Sequence, residues 1–206
     1  MATTPTQTDT ALKALEENGI ARLSELMAVG VRQETVSRLV RDGRIVRLAR
    51  GLYQLPNSDL QTEHGLAEAC KLVPKGIICL VSALQFHKLT VQLPRSIWMA
   101  IEQGARTPRI SYPPLQFVRF SKDALPDGIE RHKIEGVTVR VTNPAYTIAD
   151  CFRFRSKIGL DVSLEGLRNT LKDKVCKPDA IMKAAQRRRI WSKLRPYLEA
   201  LVNHDG

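Results

Sequence analysis

The 206-residue sequence predicts an α+β protein, and three observations carry that prediction. Short amphipathic helical patterns fill the chain up to Asp42-Gly43. The apolar spacing then changes, and residues 45–55 read as a β-hairpin. Beyond residue 58, short apolar strands alternate with helical stretches, and the chain ends in basic helices. A small domain of residues 9–57 followed by a mixed α/β domain of residues 58–206 is the expected organisation.

The elements follow in order. The first ten residues, polar and Thr-rich, read as unordered. Asp9 or Thr10 is placed to cap a first helix, with Leu12 and Leu15 on one face and Asn18-Gly19 stopping it. Ile20 and Leu23 follow. A short second helix opens at Ser24 or just before it, carries Leu26 and Met27, and ends at Gly30. A third helix runs from about Arg32 to Arg41 with Val36, Leu39 and Val40 facing inward. Residues 45–48 and 52–55 read as strands joined through Ala49-Arg50-Gly51, and Pro56-Asn57-Ser58-Asp59 marks a boundary.

In the second half, residues 60–72 read as a helix, 76–81 as a buried strand and 82–89 as another helix. Residues 96–101 and 115–120 read as strands, with a connector rich in proline at Pro108, Pro113 and Pro114. Two further strands, 129–133 and 137–141, flank Glu135-Gly136 as a hairpin. Asn143-Pro144 opens a helix through Asp150 and Phe154. Residues 163–203 form two or three basic helices. No internal repeat or low-complexity tract interrupts the chain.

Composition bounds the function. Hydrophobic residues make up 43% and charged residues 26%, enough apolar content to build a core and to exclude wholesale disorder. No apolar run is longer than that of residues 77–81, which is far short of the roughly 20 residues that span a bilayer, so no membrane partner is expected. The N-terminus shows neither a basic start nor an apolar segment, so a cytoplasmic location is expected. Cys70, Cys79, Cys151 and Cys176 are scattered and read as reduced thiols. The formal net charge is +11, which favours polyanionic partners, although a merely soluble basic protein would carry it too.

Residues 23–30 and 32–41 have the proportions of a helix-turn-helix, and the hairpin after them supplies the wing of a winged helix. Burial of Val36 and Leu39 turns Gln33, Glu34, Ser37, Arg38 and Arg41 outward. Arginine forks guanine, glutamine pairs with adenine, and hydroxyls reach phosphates, so this set suits a major groove. Six arginines fall within residues 32–50 against Glu34 and Asp42. The expected DNA-reading set is Arg32, Gln33, Thr35, Ser37, Arg38 and Arg41, with Arg47 and Arg50 of the wing on flanking phosphates or in a minor groove. A solvated basic face is the plain alternative. Tyr53 reads as core.

A second basic stretch holds Lys183, Arg187, Arg188, Arg189, Lys193 and Arg195 around Ile190, Trp191 and Leu194. From residue 150 onward there are 13 basic and 7 acidic residues. Three readings stay open: a solvated amphipathic face, contact with flanking DNA or an RNA, and a protein-partner surface. Trp191 reads as packing. Enzyme motifs are missing. The histidines are scattered, and there is no G-x-S-x-G, no P-loop and no G-x-G-x-x-G, so neither catalytic residues, a metal nor a cofactor is expected. No lysine follows a glutamate at the E-x-K spacing of metal-dependent nucleases. Asp150 reads as a cap or an internal hydrogen-bonding group.

The element order and the wording GIARLSELMAVGVRQETVSRLVRDGRIVRLARGLYQL resemble the N-terminal winged helix-turn-helix domain of AbiEi-family antitoxins, most tellingly at I-x-R-L-x-R-G-L-Y, residues 45–53. Residues 141–150, VTNPAYTIAD, are similar to the family segment V-T-x-P-x-R-T-L-x-D. There Tyr146 stands where arginine is usual, so no role of that arginine carries over. The resemblance implies a bacterial antitoxin of a type IV toxin–antitoxin system. It also implies repression of the operon through promoter inverted repeats in double-stranded DNA. The C-terminal domain would counter a nucleotidyltransferase-like toxin without forming a stable complex. A stand-alone regulator with a ligand-binding or dimerising C-terminal domain, and a protein-interaction module, are the competing classes.

Overall fold

The computed structural model describes residues 6–56, 63–110, 112–125 and 127–202. The chain divides into two compact units: Met1–Pro74 with Lys133–Val139, and Lys75–His132 with Arg140–Gly206. Asn57, Ser58 and Asp59 of the expected boundary lie outside the described residues, as do Leu60 at the expected start of the next helix and Asn203.

The first unit opens with α1 (Gln7–Asn18). Thr6 caps it in a capping box: its hydroxyl oxygen accepts the Asp9 N–H at 3.2 Å, and the Asp9 carboxylate accepts the Thr6 N–H at 3.1 Å. Residues 7–10, expected to be unordered, are therefore helical. β1 (Ile20–Arg22) is a strand that the sequence reading did not separate, since three residues show no period. Then come α2 (Leu23–Ala28), α3 (Gln33–Arg41), β2 (Val46–Ala49) and β3 (Leu52–Gln54). The strands form an antiparallel sheet of order β1-β3-β2, with Ile20 and Val46 both opposite Gln54. Leu15, Leu26, Val36, Leu39, Ile45 and Tyr53 pack into its core. Three helices over a small sheet that ends in a hairpin make this a winged helix.

The same compact unit extends through α4 (His64–Leu72). The Arg22 guanidinium donates to the Lys71 carbonyl, and the Lys71 ammonium pairs with Glu25 at 2.7 Å. The turn Glu135-Gly136 packs on the end of α1, and both of its residues have positive φ, 48° and 75°. A Cβ at Gly136 would fall 2.5 Å from the Asn18 carbonyl carbon. Gly136→Ala is thus expected to lower stability by about 2–4 kcal/mol, from left-handed strain plus overpacking. Urea unfolding checks this, and a loss near zero would remove the close approach.

The second unit contains β4 (Ile77–Ile78), α5 (Leu80–Phe86), β5 (Ile97–Glu102) and β6 (Leu115–Phe120). The hairpin strands β7 (Ile129–Ile134) and β8 (Val137–Thr142) complete a five-stranded sheet of order β6-β5-β4-β8-β7. It is mixed: β5 runs parallel to β6 and β4 parallel to β8, while β4 is antiparallel to β5. The expected strand at residues 76–81 is shorter than predicted. Leu80, at φ 51°, turns the chain into α5, and a short apolar run cannot by itself be told from a buried helix start.

The helices that follow are α6 (Pro144–Arg153), α7 (Arg155–Ile158), α8 (Leu160–Lys172), α9 (Pro178–Arg187) and α10 (Trp191–Val202). Asn143 caps α6 by accepting the Tyr146 N–H at 3.0 Å, with Pro144 in the first turn as expected. Leu84, Phe120, Ile148, Phe152, Leu167 and Leu194 form the core around α6. His87 donates from Nε2 to the Thr142 carbonyl at 2.7 Å. Burial pushes its pKa below the ordinary 6.5, against the Thr142 carbonyl and Glu130, which favour the proton, while His132 disfavours it. The folded chain therefore holds this proton less tightly than the unfolded one. The stability His87 contributes is present above pH 6.5 and lost as the pH falls. Because Asp150, whose pKa is raised, acts in the opposite direction over the same range, the check is the difference between two chains: from neutral to mildly acidic pH the urea midpoint of His87→Gln should fall less, or rise more, than that of the parent.

Candidate nucleic-acid interface

One face of α3 is spent on the core through Val36 and Leu39, which are 1% and 2% exposed. The opposite face leaves Gln33, Glu34, Ser37, Arg38 and Arg41 exposed, and with half-buried Thr35 they line one open concavity. Arg32 precedes the helix as its N-cap residue. The side-chain oxygen Oε1 of Gln7 accepts both the Arg32 backbone N–H at 3.1 Å and the Thr35 hydroxyl at 2.8 Å. Thr35 is thereby held by α1, with oxygen lone pairs left to accept from a ligand.

The arginines of this face are lightly held. Arg38 donates to the Thr8 hydroxyl at 3.4 Å, and Arg41 lies 3.8 Å from the Asp42 carboxylate with both groups exposed. Exposed pairs of this kind contribute about 0–1 kcal/mol, so phosphates can compete for both side chains. In the wing, exposed Arg47 donates to the Ala49 carbonyl at 3.3 Å, and Arg50 is exposed in the turn beside Gly51, whose φ is 74°. Glu34 is the acidic side chain on the α3 face and can accept from a base amino group. The support from Gln7 and Thr8 was not expected, because the sequence reading left their segment unordered.

The second basic stretch behaves differently. Lys183, Arg187, Arg189 and Lys193 are exposed. Arg188 is not, which corrects its placement on a basic surface. Its side chain is 2% exposed and its Nε donates to the wholly buried Asp150 carboxylate at 2.8 Å. It also donates to the Ala124 carbonyl, and its guanidinium lies over the Tyr146 and Phe120 rings at 4.7 and 4.9 Å. A carboxyl in the apolar segment TIADCF requires a buried partner, and Arg188 is that partner. Asp150 thus hydrogen-bonds inside the domain, as expected. Burial pushes its pKa up to about 6 against the opposing pull of Arg188. Trp191 packs against the core. Arg187, Arg189 and Lys193 instead line a cleft with Arg153, a residue the sequence reading did not single out.

Residues 10–56 match a family model described as "Transcriptional regulator, AbiEi antitoxin". The match runs from Thr10 within α1 through β3, including every residue of the α3 face and the wing. Among curated proteins, none matches the chain. Among solved structures, the chain resembles the RV2827C protein from Mycobacterium tuberculosis with a TM-score of 0.62 at 13% identity, covering 94% of this chain and 78% of that one. That likeness shows a shared fold. Among the described residues, no helix is long and apolar enough to cross a membrane, and no cluster of histidine, cysteine and acidic residues could hold a metal.

Proposed function

We propose that this chain is a sequence-specific DNA-binding repressor of its own operon and the antitoxin of a bacterial type IV toxin–antitoxin pair. The observation that carries this reading is the AbiEi match over a winged helix whose α3 face exposes Gln33, Ser37, Arg38 and Arg41 free of strong internal partners. On this reading α3 enters the major groove of one promoter repeat, with Arg32, Gln33, Thr35, Ser37, Arg38 and Arg41 on base edges and adjacent phosphates. Arg47 and Arg50 hold the flanking backbone. The protein acts in the cytoplasm, uses no cofactor, catalyses no reaction and counters a nucleotidyltransferase-like toxin without a stable complex.

Two experiments test it. A mobility-shift titration on promoter DNA against random DNA, at two salt concentrations, tests the repressor; binding should weaken steeply with salt as phosphates release counterions. Co-expression with the neighbouring toxin gene tests the antitoxin, and continued growth arrest would refute that half. A second reading, a stand-alone regulator whose second unit binds a ligand, is favoured by the cationic cleft of that unit. An operon without a toxin gene would select it.

A further inference from the structure

Five cations from three places in the sequence meet in the second unit. Arg153 comes from the end of α6, Arg187 from the end of α9, Arg188 and Arg189 from the turn after it, and Lys193 from the first turn of α10. With Ser121 and Asp123 they line a cleft of about 550 Å³, within the roughly 300–1,000 Å³ of small-molecule sites. Two of these charges are answered internally. Arg187 pairs with Asp127 at 2.8 Å, and Arg188 with Asp150 at 2.8 Å. Arg153, Arg189 and Lys193 have no ion pair among the described residues. The Arg153 guanidinium rests over Phe120 and Phe154, at 5.2 and 5.5 Å, which holds it in place without neutralising it.

Arg189 adds an independent observation. The Arg189 N–H bonds the Gln186 carbonyl at 3.0 Å and the Ile190 N–H bonds the Ala185 carbonyl at 2.8 Å, the Schellman closure of a helix. Its central residue is left-handed, and Arg189 holds φ 55° where glycine would be unstrained. The same closure recurs at Lys88 and Lys174, with φ 60° and 50°, so it marks a helix end; at Arg189 it sets an exposed cation, without an ion pair among the described residues, at the rim of the cleft.

We propose that this cleft binds the polyphosphate group of a phosphorylated ligand, either a free nucleoside triphosphate or the triphosphorylated 5′ end of an RNA. Guanidinium forks from Arg153 and Arg189, the Lys193 ammonium and the Ser121 hydroxyl match the oxygens of adjacent phosphates. Among the described residues no aromatic ring lines the cleft, so its recognition rests on the phosphates. A duplex carries its phosphates on a convex cylinder, which a recessed cleft does not follow. None of the α3 residues takes part, so this site and the DNA-reading helix succeed or fail separately.

Calorimetric titration of the full chain with sodium tripolyphosphate, ATP and GTP at low salt tests the proposal. Saturable single-site binding is expected, with ATP and GTP within about threefold of each other. Arg189→Gly relaxes the backbone, so its thermal midpoint should hold or rise, while Arg189→Gly with Lys193→Gln should weaken binding by about tenfold or more. Arg38→Ala should leave it unchanged. RNA of one sequence bearing a 5′-triphosphate or a 5′-hydroxyl separates the sources: tighter binding of the triphosphate form than of ATP assigns the RNA end, and equal binding assigns the nucleotide. Absence of saturable tripolyphosphate binding overturns the proposal, as does unchanged binding by the double variant. Displacement of tripolyphosphate by random duplex DNA would make the cleft a backbone-binding surface and overturn it as well.

Discussion

Replacing Arg188 with methionine is expected to destabilise the protein by about 3–5 kcal/mol, because it strands a buried carboxylate. Asp150 is 0% exposed, and its second oxygen, Oδ2, is buried with no hydrogen-bond partner among the described residues, so Arg188 is the group that makes its charge tolerable. Methionine fills much of the volume between Phe120 and Tyr146 but supplies no donor. A loss of that size takes a large part of the ~5–15 kcal/mol by which domains are stable. Its pH dependence identifies the cause. Burial already raises the Asp150 pKa above the ordinary 3.8, and removing Arg188 raises it further. The folded variant then keeps a proton that the unfolded chain releases, so its stability falls as pH rises from about 4 towards neutrality. Adding Asp150→Asn should recover part of the loss and flatten that slope. Urea unfolding of the single and double variants at acidic and neutral pH reads all three effects. A pH-independent loss with no recovery in the double variant would show a packing defect instead.

The contrast between Arg188 and its neighbours shows how far a sequence can be read. The helices were legible because pairs such as Leu12 with Leu15, and Val36 with Leu39, repeat at the spacing of one helical face; Leu15, Val36 and Leu39 are buried in the fold and Leu12 packs half-buried beside them. The hairpin turn at Glu135-Gly136 and the Asn143-Pro144 cap were legible because each depends on local chemistry. β1 was not, since Ile20–Arg22 is a strand only by virtue of its ladder with β3. Arg187, Arg188 and Arg189 are chemically alike in the sequence. The turn at the end of α9 sends the middle one inward to Asp150, and a contact 38 positions away leaves no periodic trace. Arg153 was missed for the same reason: three segments supply the cleft, and none of them is unusual alone. On α3 the exposed set followed from burial of Val36 and Leu39, so that surface was readable in advance, while its bracing by Gln7 was not.

The largest functional effect is expected on that surface. Arg38 lies in mid-helix beside exposed Ser37, on the face opposite the buried Val36 and Leu39, and its hydrogen bond to Thr8 is long at 3.4 Å. If the side chain forks a guanine, Arg38→Ala should cost about 1–3 kcal/mol of operator affinity and relax specificity at one base pair. Arg41, in the last turn, is paired weakly with Asp42, and losing both arginines should remove discrimination between promoter and random DNA. Arg47→Ala in the wing should act differently. Removing one phosphate contact lowers affinity for every sequence alike and reduces the slope of log affinity against log salt by about one. Because all three side chains are exposed and contribute little to the fold, thermal midpoints should stay near that of the parent chain. Mobility-shift titrations on the promoter, on promoters altered one base pair at a time and on random duplex separate these outcomes. An Arg38→Ala protein that still ranks the altered promoters as the parent does would move base reading away from this residue. An Arg47→Ala protein with an unchanged salt slope would place the wing off the DNA.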